Sequence, residues 1–324
     1  MVDRALAAVD RLPGPSELWF AASGVVLSLI GHVALWLTGD LAFWGLATEL
    51  VIAPIMAGLF LALSAFMRRT ADSAFDDFRP ALADPGIEQT ERQRLLSIPD
   101  RAFVISAIAT TVLTSSLAVA FVQNPRSPTA DLVITTGWIV FSIVLGLVIA
   151  QMITQLRSVR HLSEVARGID VLTPGPVAAL SRVTSVGGIG MLIFIAAANV
   201  ALPSTAQSYL VLDIVIIAFA LVAFVSPLQV MHTRLSRQKG ELLAASTARL
   251  KTVLESLHSA VDAHDYTSAD ALNKMIVSTV AERDLLARLQ TWPWTPTTIR
   301  GFASALLLPV ILFVITRGID RLLV

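Results

Sequence analysis

Apolar residues fall in seven blocks, at 18–38, 41–67, 102–122, 131–156, 184–203, 208–231 and 300–317. A helix needs about 20 such residues to cross a hydrocarbon core. Backbone groups find no hydrogen-bond partner in lipid, so each block predicts a helix. The last block is the shortest and carries Pro309. It is either a seventh span or a re-entrant or interfacial helix beside six. The expectation is an all-α polytopic transmembrane helix bundle over 1–230, with loops at 68–101 and 157–183, and a C-terminal transmembrane helix over 295–324.

Between them, 231–294 changes pattern. Leu243, Leu250, Leu254, Leu257 and Val261 recur at helical spacing. His264-Asp265-Tyr266 breaks the pattern, and Thr267 or Ser268 can cap a second helix with Leu272, Met275, Ile276, Leu286 and Leu289 on its apolar face. This predicts a cytoplasmic helical hairpin, coiled-coil-like, whose stripes cover each other or a neighbouring subunit. The chain returns through Thr291-Trp292-Pro293-Trp294-Thr295-Pro296, where prolines stop the helix and the indoles anchor at headgroup depth.

Charge then orients the bundle. With the N-terminus inside, the external connections hold one basic residue, Arg126, until Arg317 and Arg321 follow the last block. The remaining arginines and lysines beyond the spans fall inside, as positive-inside bias requires. The expected location is the cell membrane, multi-pass, with a cytoplasmic N-terminus and an extracellular C-terminus. Trp19, Trp292 and Trp294 fall at the inner interface, Trp36 and Trp44 at the outer one. The first apolar block ends without a small-residue cleavage motif, so it reads as a retained span. Of the 324 residues, 55% are hydrophobic and only 15% charged, and the net charge is zero, which argues against nucleic acid as a partner. No cysteine is present, which removes thiolate and Cys-metal chemistry.

Polar residues inside the blocks are the candidate chemistry, because an ionisable group at membrane depth costs at least ~2.5–3.5 kcal/mol. His32, Glu49 and Asp213 form the candidate intramembrane site. Gly24-Ser28-His32 and Gly45-Glu49-Ala53-Ala57 are small-residue stripes that permit close helix approach. His32 could therefore pair with Glu49, as a proton or cation site or as a structural bond between spans. Arg317 could pair with Asp213. Ser106, Thr110 and Thr114 form a candidate polar face on the third span, lining a path or packing against a neighbour. Pro54, Pro227 and Pro309 predict kinks. Outside the membrane, 68–101 mixes six basic and seven acidic residues. Asp72, Asp76 and Asp77 lack the central glycine of a calcium loop and read as a solvated helical face.

The run IDVLTPGPVAALSR (169–182), together with TWPW and IRGFASALLLP (299–309), resembles an uncharacterised family of prokaryotic polytopic integral membrane proteins. That resemblance covers short stretches and implies no activity.

No span contains lysine, which excludes a retinal Schiff base, and no HExxH, GxSxG or phosphate loop occurs. The sequence therefore predicts no catalytic residue, cofactor site or metal site. Three functions stay open: an oligomeric ion channel or pore, a secondary transporter coupled to protons or cations, and a non-transporting sensor or adaptor. Expected partners are the lipid bilayer, further copies of the chain, and a cytoplasmic protein reached through 231–294.

Overall fold

A computed structural model describes residues 13–82, 85–121, 127–166, 171–172, 175–201, 206–292 and 294–323, together with Val9. No strand occurs among them. Ten helices follow in order: α1 (Ser16–Thr38), α2 (Thr48–Phe78), α3 (Glu88–Leu96), α4 (Asp100–Phe121), α5 (Pro128–Val165), α6 (Gly175–Ala201), α7 (Ala206–Val225), α8 (Gln229–Asp262), α9 (Tyr266–Arg288) and α10 (Pro296–Leu323). Six segments are long and apolar enough to cross a membrane, and they fall on α1, α2, α4, α5, α6 and the run through α7 into α8. The chain is an all-α bundle of membrane-spanning type.

Several boundaries differ from the apolar blocks. The second helix starts at Thr48, because 41–47 forms a loop in which Phe43 and Trp44 are exposed. Trp44 adopts φ +67, a left-handed conformation that the apolar run does not announce. Pro54 and Pro309 lie inside continuous helices, whereas Pro227 sits in a 3₁₀ turn that separates α7 from α8. Pro128 takes the first turn of α5, and the Ser127 hydroxyl accepts from the Ala130 N–H at 3.1 Å. The cap of α9 is Asp265, which accepts from Ser268 N–H, not Thr267 or Ser268 as the sequence suggests.

Glycine sets the closest helix crossings. A Cβ on Gly24 would lie 2.6 Å from the Pro54 carbonyl, and one on Gly58 would lie 2.8 Å from Gly24 Cα. Thus α1 and α2 meet backbone to backbone. Gly146 does the same for α5 against α4, at 2.6 Å from Ala107 Cα. Helix α6 packs against α2, α5, α7 and α10. Gly187 receives Met67 and Met152, Gly188 receives Phe302, and Gly190 receives Leu63, so three glycines admit side chains of α2, α5 and α10.

The largest buried cluster lies at the arginine-rich end, beyond the apolar blocks. Ala71, Ala74, Phe75 and Phe78 of α2 pack with Leu95, Val159, Leu162, Leu180, Leu228, Met231 and Leu235. Within 68–101 the solvated face expected for Asp72, Asp76 and Asp77 is kept, since their side chains are 43, 57 and 55% exposed. One side of α2 closes this core. On the other, Asp72 and Asp76 pair with Arg92 (2.7 and 3.2 Å) and Asp77 pairs with Arg182. The hydrogen bond that Arg92 Nε donates to the Asp72 carboxylate holds the Arg92 proton more tightly than usual. Since Met231 and Leu235 belong to the same core, the first turns of α8 are part of the bundle.

Beyond them α8 and α9 form an antiparallel hairpin. Val253, Leu257 and Ala260 of α8 and Leu272, Ile276 and Thr279 of α9 are partly buried, and Arg249 reaches Glu282 at 3.5 Å. Leu254, Val261 and Met275, expected in the seam, are exposed. The last helix, α10, packs along α6 through Phe302 and Ala305. Its 28 residues span ~42 Å. Its apolar part among the described residues, Pro296–Leu312, is shorter than the six spans.

Candidate functional site

His32 is buried, and both ring nitrogens are engaged by backbone. Nδ1 lies 2.8 Å from the Ser28 carbonyl, and Nε2 lies 3.2 Å from the Ala47 N–H. A carbonyl only accepts and an N–H only donates, so the ring is the neutral tautomer with its proton on Nδ1. Ala47 is the residue before α2, so His32 ties α1 to the start of its neighbour. Glu49 follows in the first turn of α2, half-buried. The structure therefore assigns His32 a backbone-clamping role, not the carboxylate pair that the small-residue stripes suggested. The side chains of Asp213 and Arg317 lie outside the described residues.

The hydroxyls of the third span form a packing seam. The Thr110 hydroxyl is buried, 2.7 Å from the Ser142 carbonyl on α5, and its own helix offers the Ser106 carbonyl at 2.8 Å. Thr114 meets the Ser142 hydroxyl at 2.5 Å. Both contacts depend on Gly146, where the two backbones touch. Ser106 joins through its carbonyl. Gln151 is likewise paired across helices, donating to the Ser64 carbonyl at 2.9 Å and accepting from its hydroxyl.

Two cations do work that the sequence did not disclose. Arg234 donates to the carbonyls of Ser163 (2.8 Å), Glu164 (3.0 Å) and Ala166 (3.3 Å). Those carbonyls close α5, whose last turn lacks intrahelical partners and carries the negative end of its dipole. Lys239 does the same for α9, donating to Ala287 and Leu289 at 2.6 and 2.8 Å. Both come from α8, so one helix caps two others. Spacing gives no hint of this, because capping of a distant helix leaves no local pattern. Glu91 is also missed: it is 6% exposed and lies 2.8 Å from Arg94 and 3.5 Å from His161.

The tryptophans of the TWPW run stack with neighbouring rings. His232, Trp292, Trp294, Phe224 and Phe302 form one ladder, with successive centroids 3.8, 4.6, 4.7 and 3.9 Å apart and rings within 10° of parallel. It joins the base of the hairpin to α7 and α10.

At the opposite end, Asp40 links the α1–α2 connection to α5. Its carboxylate accepts from Ser127, Thr129 and Thr38, and these hydroxyls hold its pKa below the usual carboxylate range. A lowered pKa means stability that is present above the ordinary value and lost as pH falls through the folded one. Asp40→Asn should therefore flatten the acid limb of a melting-temperature profile below about pH 4. An unchanged acid limb would show that the contact does not contribute.

Matches to this chain are absent among protein-family models, characterised proteins and solved structures.

Proposed function

We propose that the chain is a non-transporting membrane adaptor, with its arginine-rich end in the cytoplasm and the hairpin presenting a docking face for a helix of a cytoplasmic protein. One observation carries the reading. Val277, Ala281 and Leu285 recur at i, i+4, i+8 on the side of α9 turned away from α8, and all three are exposed. In lipid an exposed apolar side chain is ordinary, but on an arm held in water it marks a contact surface. Asp270 and Lys274 at one end and Arg288 at the other frame the stripe with charge. The polar groups inside the bundle favour the same reading. His32, Thr110, Thr114 and Gln151 are committed to bonds between helices or with backbone, so none of them is spare to line an aqueous path. Orientation follows from the positive-inside bias, with α10 taken as a seventh crossing although its apolar part is shorter than the six spans.

Val277→Asp with Leu285→Asp should remove partner recovery from membranes while helicity and melting temperature stay unchanged, because both side chains are exposed. Equal recovery by the double variant would eliminate the docking face.

A second reading is an oligomeric pore. It is favoured by α4, which packs along α5 and leaves Ser115 and Ser116 exposed on its open side. Reconstituted protein should then conduct, and Glu49→Gln or Asp213→Asn should alter the conductance. Electrically silent bilayers containing folded protein would remove this reading.

A further inference from the structure

The connection between α1 and α2 is held in one pose by side chains of α1. The Trp36 indole donates to the Gly45 carbonyl at 2.9 Å, and the Leu41 N–H donates to the Leu35 carbonyl at 3.2 Å. At its far end the Ala47 N–H donates to His32 Nε2. Trp44 keeps a φ of +67, and a bulky residue stays in that region only where its surroundings fix it. Apolar burial does little of this fixing. Phe43 and Trp44 touch the Trp36 ring, with centroids 5.7 and 5.6 Å away, yet Phe43, Trp44 and Leu46 are 73, 76 and 74% exposed.

Two of the groups that hold the connection titrate. Asp40, at its start, is held below the ordinary carboxylate range by hydroxyls, so it stays ionised in mildly acid solution. His32 behaves differently. Its Nδ1 carries the proton given to the Ser28 carbonyl, and Nε2 must stay bare to accept from Ala47. A second proton would set N–H against N–H, so the imidazolium and the clamp exclude each other. Linkage fixes the direction. The clamped ring carries one proton and the released ring can carry two, so release gains as pH falls, by up to about tenfold per unit. Imidazole changes charge between about pH 5 and 8, well above the range of Asp40.

The elements packed along α1 are α2 and α5. Among the described residues, the charged groups they bring to this end of α1 are Glu49 and Asp131, with Asp40 in the connection itself. Neither ring nitrogen turns to a carboxylate, because backbone groups already take both. We infer that His32 is a proton-operated latch. Acidification at this end of the bundle protonates the ring, releases Ala47 and frees the segment that carries Phe43, Trp44 and Leu46. An exposed aromatic segment is thereby fixed at neutral pH and set loose in acid. The inference is independent of what the arm binds.

The test uses the full chain in detergent. The sequence has no cysteine, so Leu46→Cys takes a single spin label whose mobility is read by electron paramagnetic resonance. Selective ¹⁵N-histidine labelling reads the ring protons in parallel, the signals of the five histidines being assigned by replacing each in turn. The His32 ring should be the Nδ1–H tautomer at about pH 7.5 and doubly protonated at about pH 5. Over the same interval the ratio of mobile to immobile label should rise at least about tenfold, with the same midpoint. His32→Gln, whose amide oxygen can take the Ala47 N–H but no proton, should abolish the change in mobility. Glu49→Gln should keep it. A ring that stays neutral throughout, or a label that stays immobile once the ring is protonated, would overturn the latch. So would a transition that is unchanged in His32→Gln or lost in Glu49→Gln. If His32→Gln fails to fold, ring and label midpoints more than about one pH unit apart in the otherwise unaltered chain would overturn it.

Discussion

Truncating Phe78 to alanine should destabilise the protein by about 3–5 kcal/mol, as large a loss as any side-chain deletion within the spans. The residue lies in the charged stretch after Arg68 and Arg69, far past the apolar block, yet its exposure is 0%. It belongs to one buried cluster with Leu95, Leu162, Leu180 and Met231 from four other helices, so collapse around the void is limited. The loss would spread, because the same cluster seats the base of α8, from which Arg234 caps α5 and Lys239 caps α9. Thermal unfolding of detergent-solubilised protein should show a marked fall in midpoint for Phe78→Ala. Leu254→Ala, an exposed leucine on the same arm, should change it by no more than ~0.5 kcal/mol equivalent. Comparable midpoints for the two variants would contradict the placement of this core.

The second large effect is expected inside the membrane. A methyl group on Gly58 would stand 2.8 Å from Gly24 N, Gly24 Cα and the Phe20 carbonyl. All three are backbone atoms of α1, which cannot rotate out of the way as a side chain could. The helices must separate, at a cost of about 1–3 kcal/mol for Gly58→Ala and more for valine. Gly137→Ala is the matched control. Its Cβ would meet nothing nearer than Pro54 Cγ at 3.9 Å, and alanine favours the helix over glycine by up to ~1 kcal/mol. Opposite signs for the two glycine-to-alanine changes, read as thermal midpoints of the purified proteins, are the expected result. Equal effects would mean that α1 and α2 do not cross at Gly24 and Gly58.

Some of the missed structure was written in the chain. Ala71, Ala74, Phe75 and Phe78 follow the i, i+3, i+4, i+7 spacing of a buried stripe, interleaved with Asp72, Asp76 and Asp77. The charges drew attention to the opposite face. Periodicity shows that a helix has two faces, but a solvated helix and one that closes a core can carry the same charges. His32 shows a different limit. The stripe Gly24-Ser28-His32 does predict its burial against α2, since small residues bring the helices together. Whether the imidazole then meets a carboxylate or a backbone amide depends on a few ångströms of helix offset and on where the α2 cap falls, which spacing does not contain. The hydroxyls of Thr110 and Thr114 carried both readings equally, and Gly146 on another helix decided between them by letting Ser142 approach.

The sequence by itself determined the six long apolar helices and the two amphipathic helices α8 and α9, with a break at His264-Asp265-Tyr266. The reason is that hydrocarbon forbids unpaired backbone, and that a stripe at 3.6-residue spacing must be covered when it stands in water. Those are local constraints, each satisfied within one segment or between neighbours in the chain. Only the tertiary structure decided which polar groups are spent on packing, which arginine caps which helix, and that the largest core lies beyond the membrane blocks. These depend on the depth and rotation at which distant helices meet. Glycine contacts and side-chain interlock set that geometry between segments far apart in the chain, and no window along the sequence holds it.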